Sequence, residues 1–152
     1  MTPEDRLAEL GLTMPEVAAP VAAYVPAVRS GPLVWTSGQL PFVDGQLPAT
    51  GKVGADVEPE TAHELARVCA LNALAAIRAE VGDLSRVRRV VKVVGYVASA
   101  PSFAGQPAVV NGASELLGAV FGDAGRHARS AVGVASLPLD APVEVEVVVE
   151  AD

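Results

Sequence analysis

The feature that most constrains the fold is a run of alternating valine and glutamate late in the chain, VEVEVVV at residues 143–149. Successive residues of a strand point to opposite faces, so the first valines share one face while Glu144 and Glu146 share the other. This alternation predicts a strand with one buried face. It does not decide whether the glutamates face solvent or line a cleft, and both interpretations stay open.

A second valine-rich strand is predicted over residues 87–98, VRRVVKVVGYVA. Alternation divides its apolar residues between two faces, with Val87, Val91, Val93 and Val97 on one and Val90, Val94 and Tyr96 on the other. A strand that is apolar on both faces at its centre predicts burial, including burial against another subunit.

Two long helices are predicted, one from Pro59 to Gly82 and one from Pro107 to Phe121. Each begins with proline at its first position and stops at a glycine, the residues that favour helix starts and ends. A short helix over residues 3–10 follows Thr2 as its cap. The order of strands, helix, strand, helix and strands predicts an α+β fold, a mixed sheet with two helices packed on one face.

Further strands are shorter and their ends are less sharply marked. We predict them at residues 24–28, 33–37 and 42–43, with a loop over 44–57 and a small-residue strand over 131–137 that ends in a turn at 138–140. On the first long helix, Asn72 shares an apolar face with Leu65 and Cys69. A buried amide needs partners, so we expect Asn72 to bind the backbone of a loop and Cys69 to be a small core residue.

Length and composition narrow the possible functions. The 152 residues suit one domain, and a hydrophobic fraction of 51% is enough for a core and for a subunit interface. No apolar run reaches the roughly 18 residues of a membrane span, so no membrane partner is expected. The single cysteine, Cys69, fits a reducing compartment and predicts a cytoplasmic location. A net charge of −7 argues against nucleic acid as a partner, and the one basic run, residues 86–92, is interpreted as a solvated strand end.

Arg129 is the candidate ligand-binding residue. Its guanidinium is a permanent cation with a rigid fork of donors, which suits a carboxylate. An arginine at the mouth of one strand, opposed by a glutamate from the next, could bind a small acid and position a water. A surface ion pair without a ligand is the alternative that the residues leave open.

The chain resembles the reactive intermediate deaminase family, also called the Rid or YjgF family. The signatures fall in order along residues 20–150, and they are Tyr24-Val25-Pro26, WTSGQLP at 35–41, LNAL at 71–74, the strand at 87–97, Val110-Asn111, Ala128-Arg129-Ser130, and Leu137-Pro138 before VEVE at 143–146. The resemblance is strongest to the longer members, which are labelled Rid-like proteins or endoribonucleases. It divides the chain into an N-terminal extension with a short helix, residues 1–20, and a single Rid-like domain, residues 21–152.

The resemblance implies a chorismate-mutase-like fold and a homotrimer with ligand clefts between subunits. It also implies hydrolysis of enamines and imines of 2-amino acids to 2-keto acids and ammonia, without a cofactor or a metal. Arg129 would bind the substrate carboxylate and Glu144 would orient the water. Tyr24, Ser37 and Gly38 would shape the pocket, with support from Asn111.

The chain departs from the family pattern at two positions and in one segment. Ala131 stands where a cysteine is common, His127 where a proline is common, and the segment before the second long helix is altered. We interpret His127 as a loop histidine. These departures keep a second hypothesis open, a non-catalytic binder of small carboxylates or an interaction module. A ribonuclease is a third hypothesis, which the acidic charge opposes because strand binding favours basic grooves with stacking aromatics.

Overall fold

The computed structural model describes residues 1–152 and contains a five-stranded mixed sheet. The strands are β1 (Ala27–Ser30), β2 (Leu33–Thr36), β3 (Val87–Ala98), β4 (Ala128–Val134) and β5 (Val143–Ala151), in the order β1-β2-β5-β3-β4. Only β3 and β4 run parallel, and the other neighbours are antiparallel. The predicted α+β mixed sheet is therefore confirmed.

Three helices accompany the sheet: α1 (Pro3–Glu9), α2 (Pro59–Val81) and α3 (Gln106–Phe121). The helices α2 and α3 pack on one face of the sheet, as predicted, and most of the core side chains lie between them and the strands. Gly112 permits their close approach, because a Cβ atom there would stand 1.9 Å from the backbone oxygen of His63. None of the helices combines the length and apolar character needed to cross a bilayer.

The first helix is joined to the rest of the chain by polar and apolar contacts. Thr2 and Asp5 form a reciprocal capping box, which confirms the predicted start at Thr2 and Pro3. Leu7 is buried in the core. The backbone N–H of Leu84 donates to Glu4 Oε1 at 2.9 Å, so this short helix is fixed against the turn before β3.

The strand β3 has the predicted bounds, but the predicted face is wrong for two of its residues, Val90 and Val91. Two register shifts against β5, between Val87 and Arg89 and between Val90 and Lys92, each insert an extra residue. Such bulges reverse the alternation of side chains. Val90 is consequently fully buried on the core face with Val93 and Val97, while Val91 is only partly buried.

Other strand predictions were wrong at their ends. The strand expected at 24–28 begins at Ala27, where pairing with Thr36 starts. The strand expected at 42–43 is absent, since Val43 makes only an isolated bridge to Gln46. The strand expected at 131–137 instead runs from Ala128 to Val134, because its pairing with β3 begins at Lys92 and Ala128.

The face of the sheet that the helices leave open carries apolar side chains. Paired residues of neighbouring strands point to the same face, which places Val28, Trp35 and Val148 together. Val28 and Trp35 are 53% and 51% exposed, and Val132 on β4 is 42% exposed. This open face also carries Glu144 and Glu146, which alternate with the buried valines of β5 as predicted.

Candidate active site

A cavity of about 430 Å³ brings together four of the six predicted site residues. Tyr24, Ser37, Gly38 and Glu144 all line it. The remaining walls come from the extended segment before β1, the segment after β2 and the turn between β4 and β5, with Ala18, Ala19, Pro20, Val21, Ala22, Pro26, Gln39, Leu40, Phe42 and Pro138. Most of this lining is apolar or small. Glu144 is the one carboxylate among the lining residues.

Backbone hydrogen bonds hold the segment after β2 against β5. Gln39 exchanges two bonds with Val145, of 2.8 and 3.0 Å. The Ser37 hydroxyl donates to the Val25 carbonyl at 2.6 Å, and the Ser37 N–H donates to Pro26 at 2.8 Å. These bonds fix the strand break at residues 37–39 next to Glu144.

The side-chain amide of Asn72, on α2, donates hydrogen bonds to the segment after β2 that forms this wall of the cavity. Its Nδ2 donates to the carbonyl of Leu40 at 3.0 Å and to that of Phe42 at 3.1 Å. Asn72 is 3% exposed, so these bonds satisfy a buried donor. The prediction that Asn72 binds loop backbone is confirmed.

Cys69 on the same helix is fully buried, as predicted. Its burial raises the pKa of its thiol, and the charge of Glu144 adds to that shift.

Glu144 is half-buried and lies directly over Gly38. Burial raises the pKa of its carboxyl above the usual value, and the nearby charge of Glu146 adds to the shift. The hydroxyl of Tyr96 donates to Glu146 Oε1 at 3.0 Å. Partial burial, followed by that bond, raises the pKa of Tyr96. The open face therefore presents two neighbouring carboxylates, one in the cavity wall and one held by a tyrosine.

Arg129 and Asn111 form a second group outside that cavity. Arg129 Nη1 donates to Asn111 Oδ1 at 2.7 Å and to Ser114 Oγ at 3.2 Å, while Nη2 donates to the Pro107 carbonyl at 3.3 Å. The guanidinium thus lies between β4 and α3. Its fixed orientation comes from the first three turns of α3.

Within one chain, Arg129 and Glu144 do not meet. The two strands that carry them are separated by β3, and Arg129 pairs with the buried Val93 whereas Glu144 pairs with Tyr96 of the open face. The two side chains therefore point to opposite faces of the sheet. The expectation that a glutamate from the adjacent strand opposes Arg129 is wrong for a single chain, because the parallel strand β3 inserts between them.

Sequence reasoning missed Ser114 and underrated His127. The imidazole Nε2 of His127 lies 2.9 Å from Ser114 Oγ, and its Nδ1 lies 2.6 Å from the Gly125 carbonyl. His127 does precede β4 in a loop, as interpreted, but its ring connects that loop to the serine that contacts Arg129. A serine in the middle of a helix carries no distinctive signal in a sequence. No cluster of three or more His, Cys, Asp or Glu side chains is placed to hold a metal ion.

Comparison with known proteins defines the class. The family described as YjgF/chorismate mutase-like, putative endoribonuclease matches residues 4–151. The chain therefore belongs to the YjgF/Rid family. Among named relatives, protein TCP17 of Trypanosoma cruzi is 48% identical over 145 residues, which are 95% of this chain and 91% of that protein. The 2-iminobutanoate/2-iminopropanoate deaminase of Escherichia coli K12 is 33% identical over 130 residues, which are 86% of this chain and 88% of the enzyme.

Solved structures agree with this assignment. The protein Atu1372 from Agrobacterium tumefaciens matches with a TM-score of 0.92 and 49% identity, over 99% of this chain and 92% of that one. Escherichia coli TdcF with bound serine matches with a TM-score of 0.64 and 26% identity, over 92% of this chain and 96% of that one. The chorismate-mutase-like fold is thereby confirmed.

Proposed function

We propose that this protein hydrolyses reactive enamines and imines of 2-amino acids to 2-keto acids and ammonia. The observation that carries the proposal is the cavity in which Tyr24, Ser37, Gly38 and Glu144 converge. The deaminase named among the relatives gives the substrate class. A carboxyl with a raised pKa suits proton transfer near neutral pH, which imine hydrolysis requires.

The proposed reaction needs only water. Water oxygen bonds to the imine carbon while the C=N electron pair moves to nitrogen, and Glu144 accepts a proton from the water and passes it to that nitrogen. In the resulting carbinolamine the hydroxyl proton passes through Glu144 to the nitrogen, the O–H electron pair forms the C=O bond, and the C–N bond breaks to release ammonia. An imine is already electrophilic, so placing its carboxylate and one water supplies much of the acceleration.

We further propose that the complete site forms between subunits of a homotrimer. Arg129 and Glu144 point to opposite faces of one chain, so a single copy cannot place both on one small substrate. A second copy seated on the apolar open face would bring its Arg129 to the cavity that holds Glu144. Cyclic association of this kind closes without leaving an exposed edge.

A second candidate is a binder of small carboxylates that does not turn them over. The structure of TdcF with bound serine favours it, since that ligand carries a carboxylate. Ala131, in place of the cysteine that the family resemblance predicts, favours it as well. A ribonuclease is disfavoured, because Arg86 and Arg88 of the basic run are taken up by contacts to Asp152.

The test measures keto-acid release from 2-aminoacrylate, generated in place by a pyridoxal-phosphate dehydratase, together with binding of 2-ketobutyrate. We expect Arg129→Ala and Arg129→Lys each to lower turnover at substrate concentrations below KM by about 10²-fold and to weaken 2-ketobutyrate binding, because an ammonium cannot reproduce the guanidinium fork. Glu144→Gln should lower turnover similarly and leave 2-ketobutyrate binding intact.

Arg126→Ala is the matched control, an exposed arginine three residues earlier, and it should keep wild-type rates. Wild-type turnover in Arg129→Ala would overturn the proposed site. Binding of 2-ketobutyrate by the wild type without turnover of any imine would establish the binder instead.

A further inference from the structure

A chain of hydrogen bonds runs from a backbone carbonyl to the guanidinium of Arg129. It begins at Gly125 O, passes through His127 Nδ1 at 2.6 Å and from Nε2 to Ser114 Oγ at 2.9 Å, and reaches Arg129 Nη1 at 3.2 Å. It links three separate elements, the turn before β4, the helix α3 and the strand β4. Neither Ser114 nor His127 lines the cavity that holds Glu144.

The chemistry of the partners decides which atom donates and which accepts in each of these hydrogen bonds. A carbonyl can only accept, so the proton of a neutral imidazole lies on Nδ1 of His127 and Nε2 is an acceptor. The Ser114 hydroxyl then donates to Nε2. Its oxygen lone pairs are left to accept from Arg129 Nη1. His127 thus orients the hydroxyl so that Ser114 presents an acceptor to the arginine.

The same contacts leave one edge of the guanidinium open. Its Nη1 uses both hydrogens, on Asn111 Oδ1 and Ser114 Oγ, and its Nη2 uses one on the Pro107 carbonyl. Of the five N–H groups of an arginine, the Nε–H and one Nη2–H remain. Nε and Nη2 lie along one edge of the planar guanidinium. Their two N–H groups can therefore bind both oxygens of one carboxylate side-on.

We propose that Ser114 and His127 are positioning residues for Arg129, and that they turn its Nε–Nη2 edge toward the carboxylate of the ligand. The inference rests on the proposed function, which assigns that carboxylate to Arg129. A guanidinium already fixed in its binding orientation loses less side-chain freedom when the ligand arrives, so affinity rises. Ser114 and His127 themselves touch neither the substrate nor the water.

The test compares Ser114→Thr, which keeps a hydroxyl, with Ser114→Val, which has nearly the same shape without it. We expect Ser114→Val to raise the KM for the imine and the Kd for 2-ketobutyrate by about tenfold, the effect of losing one hydrogen bond to a charged group. The kcat should stay within about twofold, since a contact that binds substrate and transition state alike affects KM alone. Ser114→Thr should restore both constants to within about threefold of wild type.

His127→Phe should raise the same KM by about threefold, since the serine hydroxyl loses its orienting acceptor but keeps its oxygen. If the branched variants fold poorly, Ser114→Ala gives the same comparison against wild type. Equal constants for Ser114→Val, Ser114→Thr and wild type would overturn the inference while the effect of Arg129→Ala upholds the proposed function. Wild-type affinity in Arg129→Ala would overturn the proposed function and, with it, this inference.

Discussion

Gly38 lies directly against Glu144: a Cβ atom at Gly38 would stand 2.7 Å from the carboxyl carbon of Glu144 and 2.8 Å from its Oε2. The carboxylate can hold its place only because residue 38 has no side chain. We expect Gly38→Ala to push it aside and to lower keto-acid release by about 10²-fold, the effect of a misplacement of about 1 Å.

The stability of that variant should change little. Gly38 does not have the positive φ that strains other residues, and its neighbour is the end of a flexible side chain. Thermal unfolding measured beside the assay separates the two effects. Unchanged turnover with a displaced carboxylate in a crystal structure would remove Glu144 from the reaction.

Asn72→Ala should lower the free energy of unfolding by about 1–3 kcal/mol, because the carbonyls of Leu40 and Phe42 lose their donor inside the protein. Asn72→Asp is the matched control for shape, since it keeps the volume and replaces the donor with an acceptor. Urea denaturation of both variants checks this. If Asn72→Asp were as stable as wild type, the two hydrogen bonds would not be the source of the effect.

Gly112→Ala should destabilise the protein by about 1–3 kcal/mol, since the new methyl group meets the backbone of α2 and forces the two long helices apart. Gly118→Ala in the same helix is the control, because no atom lies within 4 Å of a Cβ there. That change should stabilise α3 by about 0.5–1 kcal/mol. Equal effects at both positions would mean that helix propensity, and not the contact with His63, decides the outcome.

The raised pKa of Glu144 predicts a pH-dependent stability. A carboxyl with a higher pKa in the folded state binds more protons there, so stability falls as pH rises from 4.5, its ordinary value, through the folded-state pKa. Glu144→Gln cannot ionise, so its free energy of unfolding should match wild type in acid and exceed it increasingly over that window. Denaturation curves at several pH values measure the difference.

Asp83 supplies a control of opposite sign. Hydrogen bonds from Ser85 lower the pKa of its carboxyl, so Asp83→Asn should be less stable than wild type above pH 3.8 and should match it in stronger acid. A Glu144→Gln variant that becomes less stable than wild type as pH rises would contradict the raised pKa of Glu144.

Light scattering should give three times the 15.5 kDa chain mass for the wild type. Val132→Glu places a charge on the open apolar face and should release monomers, because a charge buried without a partner is costly. Val43→Glu, at a similarly exposed valine outside the sheet, is the control and should leave the mass unchanged. A wild-type monomer that deaminates imines would contradict the intersubunit site.

Local chemistry was enough to predict the long elements. Proline and glycine mark the ends of α2, and the valines of β5 alternate without interruption, so both were predicted within a residue or two. Alternation mispredicted the faces within β3, because β-bulges add extra residues there. Nothing in a valine-rich sequence distinguishes those extra residues from their neighbours. Val90 was consequently assigned to the wrong face.

The site was predictable only in part, for a similar reason. The family resemblance singled out Arg129 and Glu144, but only the strand order reveals that they point to opposite faces of one chain. The bond between Arg129 and Asn111 joins residues 18 positions apart across α3 and β4, and no periodicity encodes such a pair. The roles of all six residues remain predictions until the variants are measured.

The position of β5 has a consequence for how the chain folds. This strand lies between β2 and β3, so the β1–β2 hairpin and the parallel β3–β4 pair share no hydrogen-bonded neighbour until residues 143–151 insert between them. Every pairing of β5 with β2 closes a loop of more than a hundred residues, and such distant contacts slow folding. Until that insertion, two half-sheets with unpaired edges coexist in one molecule, and this is the interval in which a newly made chain is most exposed to aggregation.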